Sequence, residues 1–441
     1  RLRSRGLGDV YKRQANVGVS SPSKYLDLLD AAGWAEVTTV SRRAAGLSPL
    51  EMAQDLASKP DNDWQDLMFG PALMQNYALS VKGGGKYSTY YNSVGYTNQD
   101  GVMKGTNYQR YTLQSKQDFK KGIFQAGTNV VLTYDQSNPL YSVIRGGMVG
   151  HTLQAIPTWE QYDENRTGGY GGLYGDVVNL THPLGMVDDN LMKRYSDNVK
   201  IFANAYVSVE LMKGLKYKLN LTPDFQFYRY NSYEGLFDFG LAKHDITAVT
   251  EQQTRTRNIL VENLLTFDRT FGDHKVSALV GYTYQDSRYR YMQGSGQGMP
   301  TGITEIDAAS QGLAVSGNSS RSVLTSILGR AFYSYKNRYL LTATIRRDGS
   351  SKFGSNYRYG NFPSVSVGWN IAEEDFVKNS VSWLDQLKLR GGYGVLGNQE
   401  IDNYQYVSVV TTGINYPDGK SGLIQGCLLY TSPSPRDRSL S

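Results

Sequence analysis

The chain has 441 residues, 40% of them hydrophobic, with 46 Lys and Arg against 40 Asp and Glu and a mean hydropathy of −0.45. No run of about 18 apolar residues occurs, which excludes a transmembrane helix but not a membrane barrel, whose strands alternate lipid-facing and lumen-facing residues and so average out as hydrophilic. The 34 Tyr and 47 Gly favour β structure, and on composition a secreted β-sandwich or solenoid fits as well as a barrel.

Both ends read as foreign. Residues 1–14 include Ser4-Arg5-Gly6-Leu7-Gly8-Asp9-Val10-Tyr11, and residues 427–441 open on Cys427-Leu428-Leu429-Tyr430-Thr431-Ser432-Pro433. Codons that encode the second peptide can be the reverse complement of codons that encode the first, as a sequencing-library adapter at each end would produce. Both are expected to be adapter-derived scars, unstructured and outside the fold. Without them 39 basic and 38 acidic residues remain, so the sequence pI of about 9.0 carries no argument for nucleic-acid binding. The single cysteine, Cys427, also lies in a terminal stretch.

Residues 15–75 read as a mixed preamble. Ser21-Pro22 predicts a short helix through Leu29, with Ser as N-cap and Pro at the first helical position. Ser48-Pro49-Leu50-Glu51 fits a capping box and predicts another helix to about Ala57. Asp61-Asn62-Asp63-Trp64 predicts a turn.

From Asn76 the period becomes two. Strands are predicted near 76–82, 86–98, 105–118, 123–135, 198–211, 215–230, 257–270, 274–290, 320–335, 338–347, 363–372 and 387–396. In one of them Val199, Ile201, Ala203, Ala205, Val207 and Val209 share a face and are expected to meet lipid, while Lys200, Asn204, Ser208 and Glu210 face the interior. Tight turns are expected at Lys120-Lys121-Gly122, Met212-Lys213-Gly214, Phe271-Gly272-Asp273-His274 and Tyr335-Lys336-Asn337. Long polar or Gly-rich stretches near 136–197, 231–256, 291–319 and 347–362 alternate with them. Short turns at one end and long loops at the other favour an outer-membrane barrel over a sandwich with decorated loops. The expected fold is all-β, an antiparallel transmembrane β-barrel present as a partial wall of about twelve strands over residues 76–426.

Local strings then carry a resemblance. Leu341 to Gly354 contains Arg346, Asp348, Gly349, Phe353 and Gly354 in an RxDGSSxFG-like run. Gly360 to Trp369 follows as a G-x-FPSxSxGW strand with Phe362, Pro363, Ser364 and Trp369. Leu387 to Gly394 contains Leu389 and Arg390, with Gly397, Asn398 and Gln399 just after it. Upstream, Asp63-Trp64, Gln75-Asn76, Tyr90-Tyr91 and Asn98-Gln99-Asp100-Gly101 fit the same pattern. Together they resemble the SusC/RagA-like TonB-linked (TonB-dependent) outer-membrane receptors over nearly all of 15–426.

The resemblance implies a plugged barrel of about 22 strands. It implies coupling to TonB through a plug region that lies outside this chain, with residues 15–75 linking plug to barrel. A SusD-like surface lipoprotein is the implied partner, the substrate an oligosaccharide or peptide, and the surroundings outer-membrane lipid. A siderophore receptor of the same architecture and a surface adhesin are the alternatives.

No cofactor and no catalytic residue are assigned. His151, His182, His244 and His274 lie in no HxxH or HExxH spacing, so a metal site is not expected. The runs at Gly168–Gly172 and Gly294–Gly298 do not join a strand to a helix and read as flexible loops rather than phosphate loops. Asp188-Asp189-Asn190 reads as a loop turn before a calcium site. Glu373 and Glu374 sit in a connection and form no acid pair in a cleft. Arg346, on the polar face, is the one substrate-binding candidate, set against a plain strand end paired with its neighbours. Tyr339, Trp369 and Tyr393 are expected in an interfacial aromatic girdle.

Overall fold

A computed structural model describes residues 10–139, 147–177, 180–380 and 383–407, with four three-residue strands beyond them. One antiparallel sheet of 13 strands dominates, and its spatial order follows the chain order from first to last. The strands are β1 (Val10–Ser20), β2 (Ala72–Gly84), β3 (Ser88–Asp100), β4 (Asn107–Lys121), β5 (Phe124–Ser137), β6 (Met192–Met212), β7 (Leu215–Glu234), β8 (Ala248–Phe271), β9 (His274–Gln297), β10 (Gln311–Tyr335), β11 (Tyr339–Ser350), β12 (Tyr359–Asn370) and β13 (Lys388–Gly394). β1 and β13 do not pair with each other, so the wall is open. A single continuous meander of this size rules out the two-sheet sandwich.

Side-chain alternation fixes which face is which. Through the register, Val199, Ile201, Ala203, Ala205, Val207 and Val209 of β6 align with Tyr134, Leu132, Val130, Thr128, Ala126 and Phe124 of β5. On the other side Leu221, Leu219 and Tyr217 of β7 continue the same face. Tyr77, Tyr96, Tyr111 and Tyr134 are direct cross-strand neighbours on that face, with successive ring centroids 6.4, 4.9 and 6.3 Å apart. The opposite face is a polar network. Asn204 donates to Asn220 and Thr222, Asn220 donates to Glu262, and Lys200 pairs with Asp224 at 3.8 Å. An apolar face and a hydrogen-bonded polar face on strands of 20 residues and more are the two sides of a membrane barrel wall.

The tight turns all lie at one end. Those after β4, β6 and β8 place Gly122, Gly214 and Gly272 at φ 57, 85 and 56°, a region that costs a side chain and is open to glycine. The turn after β10 instead takes Lys336 and Asn337 through φ 49 and 55°, as the two central residues of a type I′ turn closed by the Arg338 amide on the Tyr335 carbonyl. At that end Glu374 (7% exposed) accepts from the Tyr339 hydroxyl at 2.7 Å and the Trp369 indole at 2.9 Å, and pairs with Arg338 at 3.1 Å. The first two hydrogen bonds hold its carboxyl below the usual carboxylate range. Tyr339 and Trp369 therefore combine an outward aromatic ring with a satisfied polar tip.

Two local expectations fail. Residues 21–29 are not helical: the Gln65 side chain bonds both the amide and the carbonyl of Leu26, at 2.9 and 2.8 Å, and holds the segment extended. The helix forms later, as α1 (Ala31–Ala44), capped by Asp30 accepting from Gly33. The segment after Ser48 gives two short 3₁₀ turns, Glu51–Ala53 and Leu56–Ser58, because Asp55 between them takes a left-handed φ of 47°.

The terminal stretches also differ from expectation. Residues 10–14, expected to be unstructured, extend β1, which pairs with β2 from Val10↔Lys82 to Ser20↔Ala72. Leu429–Thr431 likewise pairs with Val409–Thr411. Backbone pairing accepts almost any sequence without proline, and an edge strand offers a row of open donors and acceptors. The rest of 427–441 lies outside the described residues. Residues 15–20 thus belong to the sheet, and 21–71 form the β1–β2 connection at the long-loop end rather than a preamble ahead of the barrel.

Candidate functional site

The long loops are not loose. Connections 21–71, 101–106, 138–191 and 235–247 meet at the end opposite the tight turns and share one apolar core. Trp64, Met68, Met103, Met148, Ile156, Trp159, Leu173, Leu184, Met186, Phe237 and Phe239 are all buried in it. Trp64 and Met68 come from α2 (Trp64–Met68), and Met148 from α3 (Gly147–Gln154).

The Asp61-Asn62-Asp63-Trp64 turn bolts this assembly together. Asp61 accepts from the Ala31 amide at 2.8 Å and so ties in α1. The Asn62 amide donates to Pro157, and its side chain donates to the Trp159 carbonyl and accepts from Gln161. Asp63 caps α2 by accepting from Gln65 and Asp66. The Trp64 indole donates to the Ile156 carbonyl at 2.8 Å.

His182 sits at the centre, fully buried. Its ring lies 4.7 Å from Trp159, 5.2 Å from Trp64, 5.0 Å from Tyr170 and 5.6 Å from Phe239. Nε2 faces the Glu160 carbonyl at 3.2 Å and must donate, while Nδ1 accepts from the Gly185 amide at 3.3 Å. Both nitrogens are used by the neutral ring, and burial lowers the pKa to about 4. His151 accepts from the Thr181 amide and is also lowered by burial. These histidines are packing and hydrogen-bonding groups, and no set of three metal-ligating side chains converges among the described residues.

Around this core the platform carries a polar rim. Arg166 pairs with Asp238 at 2.9 Å and Asp163 at 3.3 Å, and lies 4.6 Å from the centroid of the Tyr174 ring. Asp188 accepts from the Tyr170 hydroxyl through one oxygen and from Asn190 through the other, which uses the carboxylate locally. Tyr162 and Tyr174 stand exposed. Rigid exposed aromatics beside a charged group suit stacking on a sugar ring or a peptide side chain. The sequence reading treated 136–197 as one polar loop and missed this core; the signal was present in Trp159, Leu180, Leu184 and Met186, spaced too irregularly for any periodicity test.

The motif residues are distributed along β11–β13. Arg346 lies on the polar face, ion-paired to Asp348 at 2.6 Å and donating to Ser326 at 3.1 Å. The glycines make room for rings: a Cβ on Gly349 would fall 2.3 Å from Tyr359, and one on Gly397 2.2 Å from Phe362. Phe362 and Ser364 lie on the polar face of β12; Pro363 and Trp369 lie on the apolar face, opposite Ile345 and Tyr339. Leu389 of β13 faces Trp369, and Arg390 faces Gly368. Phe353 and Gly354 form the β11–β12 connection, where the Phe353 amide donates to Ser350. Asn398 accepts from Glu400, and Gln399 lies beside it in the stretch after β13. The motif therefore runs the height of the wall: Arg346, Asp348, Gly349 and Phe362 pack at the long-loop end, whereas Trp369, Leu389 and Arg390 lie beside Tyr339 at the tight-turn end.

No family model matches the chain. Among curated proteins it is 30% identical over 364 residues to TonB-dependent receptor P3 of Formosa agariphila, covering 78% of this chain and 35% of that receptor. It is 27% identical over 385 residues to TonB-dependent receptor SusC of Bacteroides thetaiotaomicron, covering 81% of this chain and 37% of that one. The chain thus spans about a third of the length of the curated relatives it matches. Its fold superposes on the RagAB peptide transporter with a TM-score of 0.80 at 19% identity, over 98% of this chain and 51% of that one.

Proposed function

We propose a function in nutrient uptake for a chain that belongs to the SusC/RagA-like TonB-dependent receptors and forms part of an outer-membrane barrel wall. The complete receptor imports oligosaccharides or peptides through a plugged barrel, and the present residues supply wall and rim. The observation that carries this reading is the pairing of a two-faced 13-stranded sheet with a built loop platform at one end. A wall alone needs no packed core in its loops; a receptor mouth does, because ordered loops lose less entropy on binding.

In this reading the tight turns face the periplasm and the platform faces outward, beneath a SusD-like lipoprotein. TonB acts through a plug outside the present residues. The work is selective binding and gating, and we ascribe no covalent chemistry to these residues.

The test is uptake by the complete receptor, expressed with its SusD-like partner in cells with and without TonB. Labelled oligosaccharides, peptides and ferric siderophores are compared. TonB-dependent uptake of an oligosaccharide or peptide is expected. Uptake confined to a ferric siderophore would contradict the substrate class, and uptake independent of TonB would contradict the coupling.

A further inference from the structure

The apolar face of β8–β10 ends in a belt of arginines. Below the belt the face carries Ile259 and Val261 of β8, Tyr282 and Tyr284 of β9, and Val323 and Ile327 of β10. Continuing toward the long loops on the same side-chain parity come Arg257 and Arg255, then Arg288 and Arg290, and Arg321. Arg257 lies about 14 residues from the tight turn after Phe271. That is roughly 35 Å of height for strands rising ~3.3 Å per residue at a tilt near 40°, about 10 Å more than the ~25 Å apolar band, which puts Arg257 at headgroup level.

The register sets these charges against one another. Arg255 is directly opposite Arg290, Arg257 is opposite Arg288, and Arg288 is opposite Arg321. Like charges in directly opposed positions destabilise a sheet. One carboxylate stands among them: Asp286, buried, lies 3.3 Å from Arg288, 2.9 Å from Arg321 and 3.7 Å from Arg257. It does not finish the work. Nε of Arg257 is buried without an acceptor, and Arg255 and Arg290, both exposed, make no ion pair among the described residues. The other charges on this face at this height are used elsewhere or lie higher. Arg229 is paired with Asp197 at 2.9 Å, and Glu251, nearer the loops, accepts from Gln253.

We propose that this belt binds the phosphate of an anionic lipid headgroup, one whose phosphate charge no headgroup cation neutralises, in the outer leaflet. Opposed guanidiniums with spare donors match a phosphate, which accepts paired N–H groups in the same plane. The position selects the source: the belt faces the lipid side of the wall, not the lumen, and stands where headgroups lie. A bound phosphate between Arg255 and Arg290 removes the like-charge repulsion and supplies the acceptors the sheet lacks. The inference rests on the membrane-wall reading above.

The test is native mass spectrometry of the complete receptor, released from detergent after titration with phosphatidylglycerol or phosphatidylcholine. Preferential retention of phosphatidylglycerol is expected. In R255Q/R290Q, which removes two side chains that hold nothing else in place, that preference falls by roughly tenfold or more, and R255K/R290K keeps part of it. Equal retention of the two lipids, or a preference unchanged in R255Q/R290Q, would overturn the proposal. Displacement of the lipid by inorganic phosphate would also overturn it, in favour of a free-anion site. A receptor that is soluble and monodisperse without detergent would instead overturn the membrane reading itself, so the two failures are distinguishable.

Discussion

Ala205→Arg is expected to impair assembly of the receptor into the outer membrane, whereas Asn204→Arg, at the adjacent position, assembles. Ala205 belongs to the apolar face of β6, between Thr128 of β5 and Leu221 of β7. An arginine there stands in hydrocarbon near mid-height of the wall, at a cost of about 2–4 kcal/mol. Asn204 points the other way, into the network with Asn220 and Thr222. It lines a hollow of about 590 Å³ together with Gln114, Lys116, Asn129 and Lys218, so a longer polar side chain has room and water. Ala205→Val keeps the face apolar and is tolerated. Heat-modifiable mobility on gels, or surface labelling of intact cells, reports assembly. If Ala205→Arg assembled as well as Asn204→Arg, the assignment of faces would fail.

Trp159→Ala is expected to open the loop platform without unfolding the wall. Trp159 is wholly buried, with its ring 5.7 Å from Trp64 and 4.7 Å from His182. Truncating a buried tryptophan costs about 3–5 kcal/mol, and here the loss falls on an assembly built from the loops, to which β6 contributes Met192 at its outer end. Limited proteolysis should therefore cut the variant between 155 and 191 while the strands stay protected. The same readout carries a pH signature through His182. Burial favours its neutral ring, so the unfolded loop takes up a proton more readily than the folded loop between the ordinary histidine value of 6.5 and about 4. The stabilisation is complete above that window and is lost as pH falls through it, by roughly 3 kcal/mol. Protection should decline in acid, and His182→Gln, which keeps a donor and an acceptor but cannot titrate, should reduce the decline to the part that His151 contributes. Unchanged cleavage of Trp159→Ala would mean that the loops are held by the sheet and not by their own core.

The wall was legible because a membrane imposes a strict period. Where lipid meets one face, every second residue is constrained, and all twelve strands expected from that alternation are present. Their outer ends were underestimated: β8 begins at Ala248 rather than near 257, and β9 runs to Gln297 rather than 290. Above the lipid band both faces meet water, and Thr250 to Arg257 loses its alternation while the backbone ladder continues. β1 was lost for a different reason. Ala15, Val17 and Val19 alternate with Asn16, Gly18 and Ser20, but the run is short and its first half was set aside as foreign. The loop platform was illegible because its bonds are long-range: Trp64 reaches Ile156 across 92 positions, and Arg166 reaches Asp238 across 72. No local pattern encodes such pairs. Arg346 illustrates the limit at single residues. Its face was readable from the alternation, while its hydrogen bond to Ser326 needed the neighbouring strand in place.

The most direct test of the wall is a cysteine scan of β6 at 203 to 208 in the complete receptor, with any native cysteine replaced and a nitroxide attached at each position. Collision with oxygen reports lipid, and collision with a water-soluble nickel complex reports the aqueous lumen. The arrangement of faces predicts a period of two, with oxygen dominant at 203, 205 and 207 and the nickel complex dominant at 204, 206 and 208. A flat profile, or the opposite phase, would contradict a lipid-facing odd side and with it the barrel-wall account.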